Sequence, residues 1–207
     1  MDKYTEKSRK SYNKKAANYM NERDYIVTKE LKYNFIEYLS KQDINDKNVL
    51  DVACGIGDLL NELYKRNSII GTGIDIAENM IQEANRLYGN NMKFSNTSAE
   101  NILVEDDTQD IVTICCAFHH MSNPEKVLSE INRILHSNGY LYIADFAFPS
   151  ILNKLCNIIY PMLSSGDVKA YNKRDLELFC ANTGFTIENY NKIDAVSYIA
   201  KLRKILD

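Results

Sequence analysis

Residues 48–67 read NVLDVACGIGDLLNELYKRN, and this stretch decides the fold. The run NVLDVAC is apolar enough for a buried strand and ends at Gly55, whereas DLLNELYKRN has the spacing of a helix with Asp58 in its first turn. Glycine lets the chain turn tightly between the two elements. The stretch therefore predicts a strand, a glycine turn and a helix.

The same alternation repeats along the chain. Strand patterns alternate with helices or short turns, and two closing strands lie close enough in sequence to pair antiparallel; the patterns are SIIGTGID, MKFSNTS, DIVTICCAF, GYLYIADFAF, FTIENYNKI and SYIAKLRKI. Several strands are apolar almost throughout, as expected when helices cover both faces of a parallel sheet. We predict an α/β fold with a doubly wound, mostly parallel seven-stranded sheet, in a single domain over residues 1–207.

Two segments fall outside this rhythm. Residues 1–42 carry charges and tyrosines at helical spacing, which predicts an N-terminal helical lid. Residues 148–171 place two prolines and a glycine around an apolar stretch, which predicts a cap inserted after strand five. The cap would wall a pocket for a hydrophobic or aromatic molecule, or alternatively fill the core or form a dimer surface, through Phe148, Ile151, Leu155, Ile158, Ile159, Tyr160, Met162 and Leu163.

Composition excludes several classes of protein. The 207 residues carry 25 Lys and Arg against 28 Asp and Glu, a net charge of -3 that gives no field for binding nucleic acid. The sequence shows neither a membrane-span pattern nor a signal-peptide core, which predicts a cytoplasmic protein. Five cysteines without a C-x-x-C pair fit reduced thiols, and no metal site is predicted.

The glycine turn lacks the G-x-G-x-x-G of dinucleotide sites and the G-x-x-x-x-G-K-[ST] of P-loops. Asp75 ends the second strand, where a carboxylate can accept hydrogen bonds from both hydroxyls of a ribose. Asp51, Asp75, Ser98 and Phe118 end successive strands, so we expect them along one edge of the sheet. An adenosine-bearing ligand is favoured there.

These residues resemble class I S-adenosylmethionine-dependent methyltransferases, in particular the small-molecule group with a D-x-[AG]-C-G-x-G turn. The resemblance runs from about Tyr12 to the C-terminus and implies the strand order 3-2-1-4-5-7-6. It implies S-adenosylmethionine as cofactor, S-adenosylhomocysteine as product and a small-molecule acceptor. Asp51, Gly55 and Gly57 match the loop that holds the methionine portion, and Asp75 matches the ribose-binding acid.

The resemblance also assigns the remaining cofactor contacts. Ser98 departs from the aspartate found in many members, and its uncharged oxygen is a weaker acceptor for the adenine amino group. The residues predicted to bind the cofactor are Tyr12, Tyr19, Asp51, Ala53, Cys54, Gly55, Gly57, Asp75, Ile76, Ser98, Ala99, Cys116, Ala117 and Phe118.

Methyl transfer from a sulfonium is an in-line displacement, which needs alignment and exclusion of water and no metal. A base helps where the acceptor must lose a proton, and His119 and His120 are the catalytic candidates. Alternatively, this pair is a structural junction into the next helix. Asp145 would orient a substrate or, as we favour, cap the following turn.

Two other functions and one assembly remain open. A nucleotide-binding oxidoreductase would need a pyrophosphate cradle. A catalytically silent S-adenosylmethionine-binding subunit would regulate a partner chain. A homodimer is a further expectation.

Overall fold

The structure is a computed structural model that describes residues 1–162 and 165–205. Leu163 of the predicted cap wall lies outside the described residues, as do the side chains of Ile151 and Leu155. The elements follow the order expected from the sequence. The helices are α1 (Lys3–Lys15), α2 (Arg23–Leu39), α3 (Asp58–Asn67), α4 (Glu78–Tyr88), α5 (Pro124–Ile134), α6 (Ser150–Ile159) and α7 (Lys173–Thr183), with 3₁₀ turns at Ala16–Asn21, Phe118–His120 and Tyr160–Met162. The strands are β1 (Asn48–Val52), β2 (Ile70–Asp75), β3 (Lys93–Asn96), β4 (Gln109–Cys115), β5 (Leu135–Phe146), β6 (Phe185–Lys192) and β7 (Ser197–Lys204).

The sheet has seven strands in the order β3-β2-β1-β4-β5-β7-β6. The first five strands in this order form four parallel pairs, and β7 runs antiparallel to both β5 and β6. The predicted fold class and strand order are therefore confirmed. The strand order reverses beside β1, and doubly wound sheets bind ligands at this switch point.

Helices cover both faces of the sheet, as alternate residues of β1 show. Val49 packs in one core cluster with Phe35 of α2 and Leu60 of α3. Leu50 packs in the opposite cluster with Leu128 of α5. Every residue of β1 after Asn48 is thus buried, which explains why the sequence reads as a continuous apolar run.

The N-terminal segment forms two helices joined by a 3₁₀ turn. Asp2 caps α1 by accepting from the Tyr4 amide at 2.8 Å. α1 then docks on the start of α4, where the Asn79 amide donates to Asn13 Oδ1 at 2.9 Å. This contact places α1 over the carboxyl ends of β1 and β2.

Two details differ from the sequence predictions. The sequence, in which His136 is followed by Asn138 and Gly139, predicts a helix end near His136, but α5 ends at Ile134 because Leu135 already pairs with Gln109 of β4. His136 is an exposed strand residue rather than a helix terminus. In the predicted cap, Ile158, Ile159 and Met162 are 67%, 45% and 79% exposed, so these three residues do not fill the core, which was one of the alternatives.

Over the described ranges 1–162 and 165–205, the helices are too short or too polar to cross a lipid bilayer.

Candidate functional site

The glycine turn after β1 contains three residues in the left-handed region, Ala53 (φ 59°), Gly55 (φ 54°) and Gly57 (φ 80°). A Cβ on Gly57 would lie 2.7 Å from the Phe94 ring, so packing against β3 requires glycine there. A Cβ on Gly55 would meet only Tyr19, at 3.9 Å, because this position faces open space. The two glycines therefore serve different purposes: one permits packing and the other keeps a surface accessible.

Asp75 holds this turn against the end of β2. Its Oδ2 accepts from the Gly55 amide at 2.9 Å and its Oδ1 accepts from the Ala77 amide at 2.8 Å. Burial raises the pKa of Asp75 although these amides oppose the shift. The Gly57 amide donates to the Cys54 carbonyl at 3.0 Å. The amides of both glycines are therefore already hydrogen-bonded within the protein.

Asp51 lies one strand away, at the centre of the sheet. Its Oδ1 accepts from the Thr113 hydroxyl at 2.7 Å. Burial raises the pKa of Asp51 to about 7, against the opposing effect of the Thr113 hydrogen bond. A small change in the local charge therefore decides whether this carboxyl is ionised at neutral pH.

These elements enclose a cleft of about 1010 Å³, counting the part open to solvent. Among the described residues that line it, Asp51, Asp58, Asp75 and Glu100 carry carboxylates, whereas Lys32 carries an ammonium group. Lys32 Nζ lies 2.9 Å from Asp58 Oδ2, so its charge is already compensated. The cleft is consequently suited to a cation and poorly suited to a diphosphate.

Two tyrosines from the N-terminal segment close one side of the cleft. The Tyr12 and Tyr19 rings pack edge to face, with centroids 6.0 Å apart. The Tyr12 hydroxyl lies 3.0 Å from His120 Nε2, which ties α1 to the 3₁₀ turn after β4. Both rings present aromatic surface to the cleft.

The histidine pair is divided between the cleft and the protein interior. His119 Nδ1 lies 2.7 Å from Asp145 Oδ1, and the His119 amide donates to Asp145 Oδ2 at 2.9 Å. Burial opposes protonation of His119, but Asp145 and Asp167 outweigh it and raise its pKa to about 10. Burial, with the neighbouring His119, lowers the pKa of His120 to about 4.

Asp145 and Asp167 differ in how visible they are from the sequence. Besides His119, Asp145 accepts from the Phe146 amide at 2.7 Å, so it both supports the turn and orients the histidine. Asp167 lies in the cap segment, 3.3 Å from His119 Nε2 and 3.4 Å from His120 Nδ1. No motif or spacing in the sequence points to Asp167.

The structure brings most of the predicted site residues to one cleft. Those that line it are Tyr12, Tyr19, Asp51, Ala53, Cys54, Gly55, Asp75, Ile76, Ser98, Cys116, Ala117 and His120. Gly57, Ala99, Phe118 and His119 are not among the lining residues. Phe118 instead packs edge to face with Tyr171, at 5.2 Å between centroids.

Sequence reasoning missed other lining residues. They are Thr5, Ser8, Thr28, Lys32, Asp58, Leu59, Glu100, Cys115, Met121, Ser122 and Val127. Several of them lie within two residues of a predicted site residue, and this proximity is a usable signal; they are Asp58, Leu59, Glu100, Cys115, Met121 and Ser122. The others reach the cleft through the packing of helices.

Comparison with known proteins agrees with this geometry. A family model described as a methyltransferase domain matches residues 44–195. The chain is 34% identical over 106 residues to the ubiquinone/menaquinone biosynthesis C-methyltransferase UbiE of Hydrogenovibrio crunogenus, covering 48% of this chain and 42% of that protein. It is 26% identical over 181 residues to the enzyme of the same name from Campylobacter jejuni, covering 74% of each chain.

The chain thus spans less than half the length of the Hydrogenovibrio crunogenus relative. Among solved structures, a SAM-dependent methyltransferase from Aquifex aeolicus superposes with a TM-score of 0.69 at 20% identity, covering 94% of this chain and 98% of that one. This likeness shows the shared fold, and the family match spans most of the sequence. The chain therefore belongs to the methyltransferase domain family.

Proposed function

We propose that the cleft binds S-adenosylmethionine and that its methyl group passes to a hydrophobic or aromatic small molecule, leaving S-adenosylhomocysteine. One observation carries this proposal: at the switch point of the sheet, four carboxylates and two tyrosine rings surround a cleft whose ammonium group is already paired. When bound, the cofactor supplies an electrophilic methyl group on a sulfonium. The residues present fit such a cation.

Asp75 is placed to receive the ribose. Each of its oxygens accepts one backbone amide, and a carboxylate oxygen has a second lone pair for a ribose hydroxyl. Ile76 would pack against the adenine, and Ser98 would face its edge. Ser98 Oγ accepts from the Glu100 amide at 3.2 Å, which leaves the hydroxyl proton for other partners.

Asp51, Tyr12 and Tyr19 would hold the methionine and sulfonium end. A carboxylate attracts the positive charge, and the face of a tyrosine ring attracts a cation by about 0.5–2 kcal/mol, depending on its desolvation. Closing the two rings over the cleft also excludes water, which keeps the displacement from being diverted to hydrolysis.

The acceptor side is apolar. Leu59, Met121 and Val127 line the cleft beside the polar groups. The UbiE relatives are named as C-methyltransferases of ubiquinone and menaquinone biosynthesis, which supports an aromatic acceptor methylated at carbon. The chain would align the acceptor carbon with the methyl group, and alignment is the main contribution to such a displacement.

Of the two histidines, we propose that His120 serves the reaction by holding the Tyr12 hydroxyl over the cleft. His119 lies behind it, bound to Asp145. Proton transfer to either histidine stays a prediction of the sequence. So do the homodimer, the cytoplasmic location and the lack of a nucleic-acid partner.

The same electrostatics weighs against an oxidoreductase. A dinucleotide would bring a diphosphate into a cleft with three carboxyl groups besides the paired Asp58, where like charges repel. A turnover assay distinguishes the enzyme from a silent regulatory subunit, because such a subunit binds the cofactor without methylating any acceptor.

The decisive experiment is calorimetric titration of the chain with S-adenosylmethionine, S-adenosylhomocysteine, NADH and ATP, followed by methyl-transfer assays on a panel of phenols and quinols. We expect binding of the two adenosyl sulfur compounds and product from at least one acceptor. Tight NADH binding without binding of S-adenosylhomocysteine would overturn the assignment. Binding without turnover on any acceptor would favour the regulatory subunit.

A further inference from the structure

We propose that His119, His120 and Asp167 form a binding site for a divalent transition-metal cation of the Zn²⁺ type. The site lies at the wall of the cleft, between the 3₁₀ turn after β4 and the cap segment. It shares His120 with the proposed cofactor cleft, but metal binding can be tested without methyl transfer. The sequence predicted no metal site, because the third ligand comes from a distant segment.

The distances from Asp167 to the two histidines suit a tetrahedral ion. One ring nitrogen of His119, one of His120 and an oxygen of Asp167 lie within 4.8 Å of one another. Asp167 Oδ1 is 3.3 Å from His119 Nε2 and 3.4 Å from His120 Nδ1. Bonds of about 2.0–2.1 Å at the tetrahedral angle separate two ligand atoms by about 3.3–3.4 Å. Ordinary N–H···O hydrogen bonds are shorter, at about 2.7–3.2 Å.

Each ligand is also oriented by a second partner. Asp145 Oδ1 lies 2.7 Å from His119 Nδ1, so that nitrogen carries a proton. A metal ion would take the place of the second proton, on the Nε2 atom that faces Asp167. The Tyr12 hydroxyl lies 3.0 Å from His120 Nε2, on the side of the ring opposite Nδ1. The Ser165 hydroxyl donates to Asp167 Oδ2. Carboxylate, histidine and metal in a row is a common arrangement in metalloproteins.

One ligand atom lacks a partner. His120 Nδ1 is fully buried and makes no hydrogen bond within the described residues. Buried polar atoms are nearly always satisfied, so an orphan beside a carboxylate oxygen calls for a further group. A metal ion bonded to this lone pair would supply it.

The charges balance with a divalent cation. The Asp145 and Asp167 side chains are 2% and 11% exposed, and with neutral imidazoles they contribute two negative charges. A proton on His119 compensates one of them. A divalent ion compensates both, and two imidazoles with one carboxylate suit Zn²⁺ better than Mg²⁺ or Ca²⁺, which prefer oxygen ligands alone.

The backbone fixes the third ligand in place. The Val168 amide donates to the His119 carbonyl at 2.9 Å, which holds Asp167 beside the histidines. On the other side, a Cβ on Gly166 would lie 2.6 Å from the Ser8 nitrogen of α1. A bound metal would therefore clamp the cap segment, the histidine turn and, through Tyr12, the first helix at one wall of the cleft.

Metal binding to the full chain tests the proposal. We would strip the protein with EDTA, titrate it with Zn²⁺ by calorimetry, and record visible spectra with Co²⁺. We expect one ion per chain and the d–d bands of a tetrahedral nitrogen and oxygen site. Because the chain has five cysteines, a sulfur-to-cobalt charge-transfer band would show that thiolates bind the metal instead and would overturn the assignment.

Variants then identify the ligands. Asp145→Asn should weaken Zn²⁺ binding by about 10–100-fold, since it removes only an orienting partner. Asp167→Asn and His120→Asn remove ligands and should weaken it further. His136→Asn and Asp43→Asn, at exposed positions, are the matched controls and should bind as the parent does.

Circular dichroism of each metal-free variant shows whether it folds. If Asp167→Asn fails to fold, His120→Asn and the cobalt spectrum of the parent still decide the question. Failure of the parent to bind Zn²⁺ saturably would refute the site. Equal loss of affinity in His136→Asn would refute it as well. Neither outcome bears on methyl transfer, because the titrations contain no cofactor.

Discussion

The Thr113 hydroxyl donates to Asp51 Oδ1 at 2.7 Å, and the two residues are register partners on the central strands β4 and β1. This bond is the only side-chain hydrogen bond that Asp51 makes to the described residues. Burial nevertheless raises the pKa of Asp51 to about 7. The carboxyl group of Asp51, at the centre of the proposed cofactor site, therefore changes charge near neutral pH. The direction of this pKa shift leads to two predictions.

The first concerns the stability of the ligand-free chain. A carboxyl whose pKa rises from 3.8 to about 7 on folding favours the folded state fully below 3.8, and this contribution is lost as the pH rises through about 7. Asp51→Asn keeps the neutral form at every pH. We expect the variant to gain stability relative to the parent between pH 4 and 7, by at most about 1.4 kcal/mol per pH unit, and to keep that gain above pH 7.

Urea denaturation of both proteins at pH 5 and pH 8 measures the difference. Other titrating groups cancel between the two chains. A difference that is the same at both pH values would contradict the raised pKa.

The second prediction concerns cofactor affinity. A cationic ligand binds the ionised form of Asp51 more tightly, so the affinity for S-adenosylmethionine should increase as the pH rises from 6 to 8. A single linked proton limits the change to about tenfold per pH unit. Calorimetry across this range gives the slope, and Asp51→Asn should flatten it while lowering the affinity at pH 8. A steep slope retained in the variant would assign the effect to another group.

The recognition of Asp75 was possible from the sequence for a physical reason. It ends an apolar strand in a repeating unit, and parallel strands place their carboxyl ends at one edge. Lys32 and Asp167 gave no such signal, because Lys32 lies in a helix with an ordinary charge pattern and Asp167 in a loop whose path depends on the Val168 to His119 bond. Local periodicity determines elements, whereas these side chains reach the site through tertiary packing.

The end of α5 also depends on tertiary contacts that the local sequence does not show. His136 followed by Asn138 and Gly139 has the composition of a helix terminus. Leu135 instead pairs with Gln109 of β4. This strand pairing supplies hydrogen-bond partners for the backbone groups of Leu135, so the helix ends before His136. Ala99 and Phe118 lie three residues beyond the ends of β3 and β4, and both pack against the core rather than line the cleft.

A third prediction tests the ribose contact. Asp75→Ala should weaken binding of S-adenosylhomocysteine by about 1–3 kcal/mol, because two hydrogen bonds to a charged acceptor are lost. Asp75→Asn should lose less, since the amide oxygen still accepts. Asp43→Ala, at an exposed position, is the control. Calorimetry measures all three, and unchanged affinity in Asp75→Ala would remove the ribose from this position.

A fourth prediction separates the two glycines. Gly57→Ala should destabilise the fold by about 1–3 kcal/mol, because its Cβ would meet the Phe94 ring at 2.7 Å while φ stays at 80°. Gly55→Ala shares the positive φ but has open space, so its loss of stability should be smaller. Its main effect should be weaker cofactor binding, since the new methyl group points into the cleft. Urea denaturation and calorimetry of both variants distinguish the roles, and the opposite ranking of stabilities would refute the packing argument.

The fifth prediction concerns the pair formed by Lys32 and Asp58, which lie 2.9 Å apart with side chains 14% and 13% exposed. Burial alone would lower the pKa of Lys32, but Asp58 outweighs it and raises the pKa. Lys32→Met should destabilise the chain by about 3 kcal/mol, because it leaves Asp58 buried without its partner. This loss of stability is at the lower end of the range of about 3–5 kcal/mol for breaking a buried ion pair. The reason is that Asp58 lies in the first turn of α3, where the helix dipole stabilises its negative charge.

The double variant Lys32→Met, Asp58→Leu should recover most of that loss, because no charge is then left uncompensated. Thermal and urea denaturation of the four proteins give the coupling energy. The double variant should also bind S-adenosylmethionine nearly as the parent does, because the pair contributes no net charge to the cleft. A coupling energy near zero would contradict the argument from burial, because it would show that water already screens the two charges from each other.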